Sequence, residues 1–202
     1  MKKNKISKNW IIKQHRDLYF KKSKAQGYRS RSAFKLIEMN KRFKFLHKKT
    51  NLLDLGSFPG GWSQAASEKI CDGKILAIDT KLMEKIDKVE FMQGDLLDSK
   101  IEIKIFNFFK KKIDAVISDM AANTSGNKNL DSYKTGELCL RAMDLALKIL
   151  NKDGVFLSKL FMGSVFEEIN KNAKKYFKKV VKYKPLSSKK ESKEIYIYCK
   201  GI

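Results

Sequence analysis

Histidine and cysteine are scarce in this chain: its 202 residues include only two histidines and three cysteines. His15 and His47 lie far from the cysteines along the sequence, so the ligand spacing of a zinc site is missing and we expect no metal. Cys71, Cys139 and Cys199 are odd in number and unpaired in spacing. They favour buried or incidental thiols in a reducing compartment rather than a disulfide framework.

Long apolar runs are also missing. No run approaches the roughly 18 residues that a helix needs to cross a bilayer, and the basic residues 1–5 (MKKNK) are not followed by the apolar core of a signal peptide. No internal repeat or low-complexity linker is visible. We therefore expect a cytoplasmic protein without a membrane segment, monomeric by default, with a basic N-terminal extension over residues 1–24 and one domain over residues 25–202.

Acidic residues are outnumbered two to one, with 22 Asp and Glu against 44 Lys and Arg, for a net charge of +22. An AT-rich genome also enriches lysine, so part of this excess can reflect codon usage. The remainder predicts a polyanionic partner, either nucleic acid or an anionic membrane. Apolar residues still make up 43% of the chain, which indicates a globular fold.

Apolar segments alternate with amphipathic ones along most of the chain. The amphipathic segments predict helices at residues 30–43, 132–150 and 166–177, and the apolar ones predict strands at residues 51–56, 74–79, 89–92, 113–119 and 154–161. Residues 180–184 and 194–200 alternate with a period of two, which predicts a final strand pair joined by the loop 185–193. The pattern is typical of a doubly wound α/β fold: a mostly parallel sheet with helices on both faces and an antiparallel last strand at its edge.

The most informative segment is residues 52–62 (LLDLGSFPGGW), in which an apolar run ends in an acidic residue and a glycine-rich turn. A strand, a tight turn and a helix N-terminus form a cradle for a nucleotide-like cofactor. The segment lacks the second glycine that dinucleotide enzymes place against a pyrophosphate. It therefore disfavours an NAD-type oxidoreductase and favours S-adenosylmethionine (SAM); a plain strand-to-helix turn is the alternative.

Acidic residues follow four of the predicted strands: Asp54, Asp79, Asp95 and Asp119. Ligands of open α/β sheets bind beyond the carboxyl ends of the strands, so these carboxylates are candidates for holding a cofactor. We expect Asp79 to accept the ribose hydroxyls and Asp95 the adenine amino group. Lys159 lies inside an apolar strand, where a lysine is costly to bury unless it is paired, and Asp119 is its candidate partner.

Seven segments form a more specific constellation: residues 27–36 (GYRSRSAFKL), 54–56 (DLG), 59–64 (PGGWSQ), 93–95 (QGD), 118–121 (SDMA), 158–161 (SKLF) and 188–196 (SKKESKEIY). Together and in this order they resemble the FtsJ family of SAM-dependent ribosomal RNA 2′-O-ribose methyltransferases, from about Trp10 to the end of the chain. The resemblance implies a Rossmann-like methyltransferase domain with a seven-stranded sheet. It also implies a target, a uridine in the peptidyl-transferase A-loop of 23S rRNA in the large ribosomal subunit.

The resemblance also assigns roles to particular residues. The catalytic tetrad of the family falls on Lys35, Asp119, Lys159 and Glu194, and its SAM contacts fall on Gly60, Trp62, Asp79, Asp95 and Asp119. In the implied reaction, a ribose 2′-hydroxyl attacks the methyl group in line. Lys159 orients that hydroxyl and accepts its proton, or it stays cationic and steers the hydroxyl while a water takes the proton.

Other basic and aromatic residues are candidates for RNA contact. We expect the basic residues near Lys35 to contact phosphates: Arg29, Arg31, Lys41 and Arg42. Tyr28 and Phe34 could stack on a base or belong to the core.

Three departures from the family pattern leave the tetrad intact: Lys189 replaces an arginine, Ala122 replaces a proline, and residues 57–59 (SFP) differ before the glycines. Lys189 would weaken a bidentate contact, because only arginine presents a planar fork of donors. Two other functions stay open: 2′-O-methylation of another RNA, such as transfer RNA, and a non-catalytic role in ribosome assembly.

Overall fold

The computed structural model describes residues 17–122, 127–163, 165–189 and 191–202, so most of the predicted N-terminal extension, including Trp10, lies outside the described part. Seven strands form one sheet, in the order β3-β2-β1-β4-β5-β7-β6. The strands are β1 Leu52–Leu55, β2 Ile75–Asp79, β3 Val89–Gln93, β4 Ile113–Ser118, β5 Leu150–Phe161, β6 Lys179–Tyr183 and β7 Glu194–Lys200. The fold class predicted from the sequence is confirmed.

The first five strands run parallel, and β7 is antiparallel to both of its neighbours, β5 and β6. The antiparallel strand is therefore the last one along the chain, as predicted, but it does not form the edge. It is inserted between β5 and β6, because the short loop 185–193 lets the two final strands pair directly. This insertion places the start of β7 beside the end of β5, where Phe161 is in register with Glu194.

Six helices lie in the described part of the chain: α1 Leu18–Ala25, α2 Ala33–Phe43, α3 Gly61–Ser67, α4 Ser99–Phe109, α5 Lys128–Ile149 and α6 Phe166–Tyr176. Asp17 caps the N-terminus of helix α1. Its carboxylate accepts the amides of Tyr19 and Phe20 at 3.0 and 3.2 Å and so satisfies two donors at the helix end. The helix spans residue 24, where we drew the domain boundary, and that boundary stays a prediction.

Helices cover both faces of the sheet, and each face has its own apolar cluster. On one face α2 and α3 contribute Leu36, Met39 and Trp62; on the other α4 and α5 contribute Ile105 and Leu145. Among the described residues, no helix is long and apolar enough to cross a membrane. Because both faces are covered, ligands have access to the sheet mainly at its ends.

Candidate active site

The glycine-rich turn after β1 is shaped by two residues with left-handed backbone conformations. Gly56 has φ +73°, and a Cβ at this position would lie 2.5 Å from the side chain and 3.0 Å from the backbone of Met120. Gly60 has φ +107°, and its amide donates to the Ser57 carbonyl oxygen at 2.6 Å. The turn therefore requires glycine at position 56 for space as well as for conformation.

A cavity of about 680 Å³ opens beside this turn, beyond the carboxyl ends of β1 to β5. Its size falls within the range of small-molecule sites. The structure brings four of the predicted site residues to its wall: Asp79, Asp95, Asp119 and Lys159. The cavity thus lies where the topology of an open parallel sheet predicts a ligand.

Asp79 and Asp95 are fixed by backbone amides at the mouth of the cavity. Asp79 accepts the amides of Phe58 and Lys81, both at 2.9 Å. Asp95 accepts the amide of Leu97 at 3.0 Å and is otherwise exposed. A carboxylate has about four lone-pair sites, so both groups keep acceptor capacity for the hydroxyl or amino groups of a ligand.

Asp54 does not belong to the cavity wall, and here the prediction from the sequence is wrong. The residue lies inside β1 and is fully buried. Its carboxylate accepts the Ser63 hydroxyl of α3 at 2.6 Å. Burial raises the pKa of Asp54 to about 7, the charges of Asp119 and Asp79 add to this effect, and the Ser63 hydrogen bond opposes it. Asp54 therefore links β1 to α3 beneath the site.

Gly60 and Trp62 are not among the residues that line the cavity. The indole of Trp62 is buried and donates to the Ser32 carbonyl oxygen at 2.9 Å. Its ring packs against Tyr196 at a centroid distance of 5.7 Å. Any contact between these two residues and a cofactor would have to use their backbone, and that contact stays a prediction.

Two ion pairs lie near one another, and one of them, Lys159 with Asp119, lines the cavity. Lys159 of β5 donates to Asp119 Oδ1 at 3.0 Å and also to the Asp119 carbonyl oxygen. Lys35 of α2 lies 2.7 and 2.8 Å from the two carboxylate oxygens of Glu194, and both of these side chains are only 11% exposed. The four residues of the implied tetrad are therefore arranged as two pairs.

Tyr196 connects the two pairs. It lies two residues after Glu194 on β7 and is in register with Lys159, so all three side chains share one face of the sheet. Its hydroxyl donates to Asp119 Oδ1 at 2.8 Å, and its ring centroid lies 5.8 Å from the Lys35 ammonium. Tyr196 is a site residue that the sequence did not predict, although its spacing of two residues from Glu194 could have indicated the shared face.

The electrostatic environment favours the ionised form of Asp119. Burial alone would raise the pKa of this carboxyl, but the Lys159 and Lys35 ammonium groups and the Tyr196 hydrogen bond bring it below its ordinary value. Burial also raises the pKa of Tyr196 well above its ordinary value. Tyr196 therefore remains a hydrogen-bond donor to Asp119 over the physiological pH range.

Two of the arginines predicted to contact phosphates are engaged within the protein. The Arg29 guanidinium donates to the carbonyl oxygens of Glu84 and Lys85 at 2.7 and 2.6 Å. The Arg31 guanidinium pairs with the Asp17 carboxylate and donates to a carbonyl oxygen of the loop between β6 and β7. These contacts favour a structural role for both arginines.

The two aromatic residues considered for base stacking pack into the protein. Phe34 is 7% exposed and lies in an edge-on arrangement with Tyr28 at 5.5 Å. The Tyr28 hydroxyl donates to Glu68 at 2.8 Å. This arrangement favours the core role that the sequence analysis left open for both residues.

The sheet order, the antiparallel seventh strand and the cavity at the carboxyl ends of the strands define a Rossmann-like methyltransferase domain. A family model described as FtsJ-like methyltransferase matches residues 28–202. The chain belongs to this family, and the resemblance inferred from the seven segments is confirmed.

The chain is similar to known proteins over nearly its whole length. It is 49% identical to the ribosomal RNA large subunit methyltransferase E of Pelagibacter ubique, over 99% of this chain and 98% of that protein. It is 40% identical to the protein of the same name from Hahella chejuensis, over 100% and 99% of the two chains. The crystal structure of a Plasmodium falciparum protein described as a ribosomal RNA methyltransferase has a TM-score of 0.79 and 34% identity, covering 87% of this chain and 98% of that one.

Proposed function

We propose that the protein transfers a methyl group from SAM to a ribose 2′-hydroxyl of 23S rRNA, at a uridine of the A-loop in the large ribosomal subunit. The observation that carries this proposal is the two neighbouring ion pairs, Lys159 with Asp119 on the cavity wall and Lys35 with Glu194 beyond it. Relatives named as large-subunit rRNA methyltransferases, similar over nearly the full length of the chain, support it. The net charge of +22 is consistent with a nucleic-acid substrate. We expect a cytoplasmic monomer.

The cavity fits SAM in volume and in chemistry. Bound there, SAM supplies an electrophilic methyl group next to a positively charged sulfur. Three carboxylates on the wall, those of Asp79, Asp95 and Asp119, suit a cationic ligand that carries a ribose and an adenine. Gly56 helps to shape this wall, because a Cβ at this position would lie 2.5 Å from the side chain of Met120, which also lines the cavity.

The ion pairs suggest how the protein handles the ribose hydroxyl. Lys159 borders the cavity and is 9% exposed. Its ammonium can therefore lie close to the 2′-hydroxyl of a ribose that enters the cavity. Asp119 and Tyr196 hold the lysine in place. Much of the rate acceleration can then come from positioning, since holding two reactants in line lowers the barrier by several kcal/mol or more.

Lys159 either accepts the hydroxyl proton or orients the hydroxyl while water accepts the proton. The variant Lys159→Arg separates these roles, because arginine keeps the charge and donors but is not a base at accessible pH. If Lys159 is the base, the variant loses about a hundredfold or more in turnover together with the acid limb of the pH–rate profile, in which the rate rises as the base loses its proton. Near-normal turnover of the arginine variant excludes the base role.

The function is tested by methyl transfer from labelled SAM to unmethylated large ribosomal subunits, followed by mapping of ribose methylation. We expect a single 2′-O-methyl group in the A-loop. Methylation of tRNA in place of the large subunit would change the proposed substrate. SAM binding without transfer to either RNA would favour the non-catalytic assembly role.

A further inference from the structure

Outside the cavity, the carboxylate of Glu38 on α2 holds the connection between β6 and β7. Its Oε1 accepts the Tyr183 hydroxyl at 2.6 Å and the Leu186 amide at 2.7 Å. Its Oε2 accepts the amide and the hydroxyl of Ser187 at 3.1 and 3.0 Å. Burial alone would raise the pKa of Glu38, but these four hydrogen bonds bring it below its ordinary value. Glu38 is therefore an ionised acceptor with both oxygens in use.

The same face of α2 carries the active-site lysine. Lys35 and Glu38 are three residues apart on α2, which places them on one face of the helix, and Arg31 lies in the turn just before the helix. Arg31 donates to the Ser187 carbonyl oxygen, and Lys35 pairs with Glu194. The helix and the turn before it thus contact the connection near its start, through Ser187, and the residue that follows it, Glu194.

The far end of this connection has contacts of its own, besides the Lys184 ammonium that donates to the Ser192 carbonyl oxygen at 2.7 Å. At the far end the Met162 amide donates to the Lys193 carbonyl oxygen at 3.0 Å, and the Glu194 amide donates to the Ser192 hydroxyl at 3.2 Å. Glu194 also begins the β7 ladder with β5. Loss of the Glu38 contacts would therefore loosen residues 185–189, which keep the Arg31 contact to Ser187, but leave Glu194 beside Lys35.

We propose that Glu38 is a positioning residue for the RNA substrate: it holds the β6–β7 connection against α2, so that the exposed cations next to the tetrad form one preorganised surface. Lys189 and Lys193 of the connection are exposed, and the Arg42 guanidinium lies 5.0 Å from the ring centroid of Tyr183. A released connection would have to be ordered when RNA binds, which weakens binding. This inference rests on the proposed function.

The substitution Glu38→Gln distinguishes a positioning role of Glu38 from a simple effect of its charge, because the two predict opposite changes in RNA binding. Glu38→Gln removes a negative charge near a polyanion, so electrostatics alone would tighten RNA binding. Positioning predicts weaker binding, because the glutamine amide nitrogen is a donor and would face the donors that the carboxylate now accepts. Glu191 supplies the matched control: it is exposed on the same connection, and Glu191→Gln removes the same charge without disturbing the Glu38 contacts.

The experiment compares wild type with Glu38→Gln, Ser187→Ala and Glu191→Gln. It measures KM and kcat with unmethylated large subunits, SAM affinity by calorimetry and amide exchange across residues 184–193. For Glu38→Gln we expect KM to rise about tenfold, kcat to stay within about twofold because Lys35 and Glu194 keep their own contacts, and amide exchange to accelerate at residues 186–189 alone. SAM affinity should not change, since neither Glu38 nor its hydrogen-bond partners Tyr183, Leu186 and Ser187 line the cavity.

Several results would overturn the inference. These are an unchanged or lower KM for Glu38→Gln, a loss confined to kcat, or an equal rise in KM for Glu191→Gln. If Glu38→Gln does not fold, Ser187→Ala decides: it removes one hydrogen bond and should raise KM about two- to threefold, and an unchanged KM overturns the inference. If the wild-type protein transfers no methyl group, the proposed function is overturned and this inference with it. If the wild type is active and Glu38→Gln has the same KM, the inference alone is overturned.

Discussion

Replacing Asp54 with asparagine should stabilise the protein above neutral pH. Asp54 is fully buried in β1, its Oδ1 atom has no hydrogen-bond partner among the described residues, and burial raises its pKa to about 7. Between about pH 4 and pH 7, the unfolded chain carries this carboxylate ionised while the folded protein keeps it protonated. The folded state then binds more protons than the unfolded state, so its stability falls as the pH rises through this window.

The size of the effect follows from the shift in pKa. A carboxyl with an ordinary pKa of 3.8 that is raised to about 7 loses about 4 kcal/mol of stability across the window, at ~1.4 kcal/mol per pH unit. Asparagine does not ionise and avoids this loss. Its amide can still donate to the Ser63 hydroxyl, and the altered hydrogen bond costs about 1 kcal/mol. We therefore expect a net gain of about 2–4 kcal/mol at pH 8 and less than about 1 kcal/mol at pH 5.

Urea unfolding of both proteins at pH 5, 6, 7 and 8 measures this difference directly. Asp114 provides a control, because its carboxylate accepts the Asn51 amide at 2.7 Å and the Asn151 side chain at 2.8 Å; Asp114→Asn should destabilise the protein at every pH. Parallel stability curves for wild type and Asp54→Asn would refute the reasoning. So would a loss of more than about 2 kcal/mol in Asp54→Asn at pH 8.

Three further predictions concern the site. Tyr196→Phe removes a donor to Asp119 and so raises its pKa; we expect about tenfold lower turnover and an acid limb of the pH–rate profile moved to higher pH, and an unmoved limb would contradict the connecting role. Gly56→Ala places a methyl group 2.5 Å from the Met120 side chain and should weaken SAM binding, measured by calorimetry, by about tenfold or more. Gly27→Ala is its control, because Gly27 has a similar φ of +71° and nothing within 4 Å of the added carbon. Equal SAM affinities of the two variants would argue against SAM binding in the cavity beside the turn. Binding to large subunits should weaken by several orders of magnitude between about 50 and 200 mM salt, and a flat response would contradict the electrostatic account.

Most of the fold could be predicted from the sequence, because parallel strands buried on both faces appear as continuous apolar runs. The segment 113–119 is an example, and the structure has β4 at Ile113–Ser118. The start of β5 was harder: residues 151–153 are polar, yet the strand begins at Leu150, which pairs with Ile113 beyond a register shift. The place of β7 inside the sheet depends on pairing between distant strands, which local pattern does not encode.

Less of the candidate site could be predicted from the spacing of residues along the sequence. Lys35 and Glu194 lie 159 residues apart, and only the family resemblance brought them together before the structure did. Asp54 was misplaced because strand-end position alone does not reveal which way a side chain points. Glu38 could not be identified from the sequence, since nothing in the pattern around one glutamate on a helix indicates three hydrogen bonds to a distant loop and one to the strand before it.

The most direct test of the account is single-turnover methyl transfer to unmethylated large subunits at saturating SAM, with wild type and Lys159→Ala side by side. The central claim is that Lys159, held by Asp119 at the cavity wall, orients the ribose hydroxyl. It predicts a rate at least about a hundredfold lower for the variant, with SAM affinity preserved. Transfer by Lys159→Ala at close to the wild-type rate would contradict the claim.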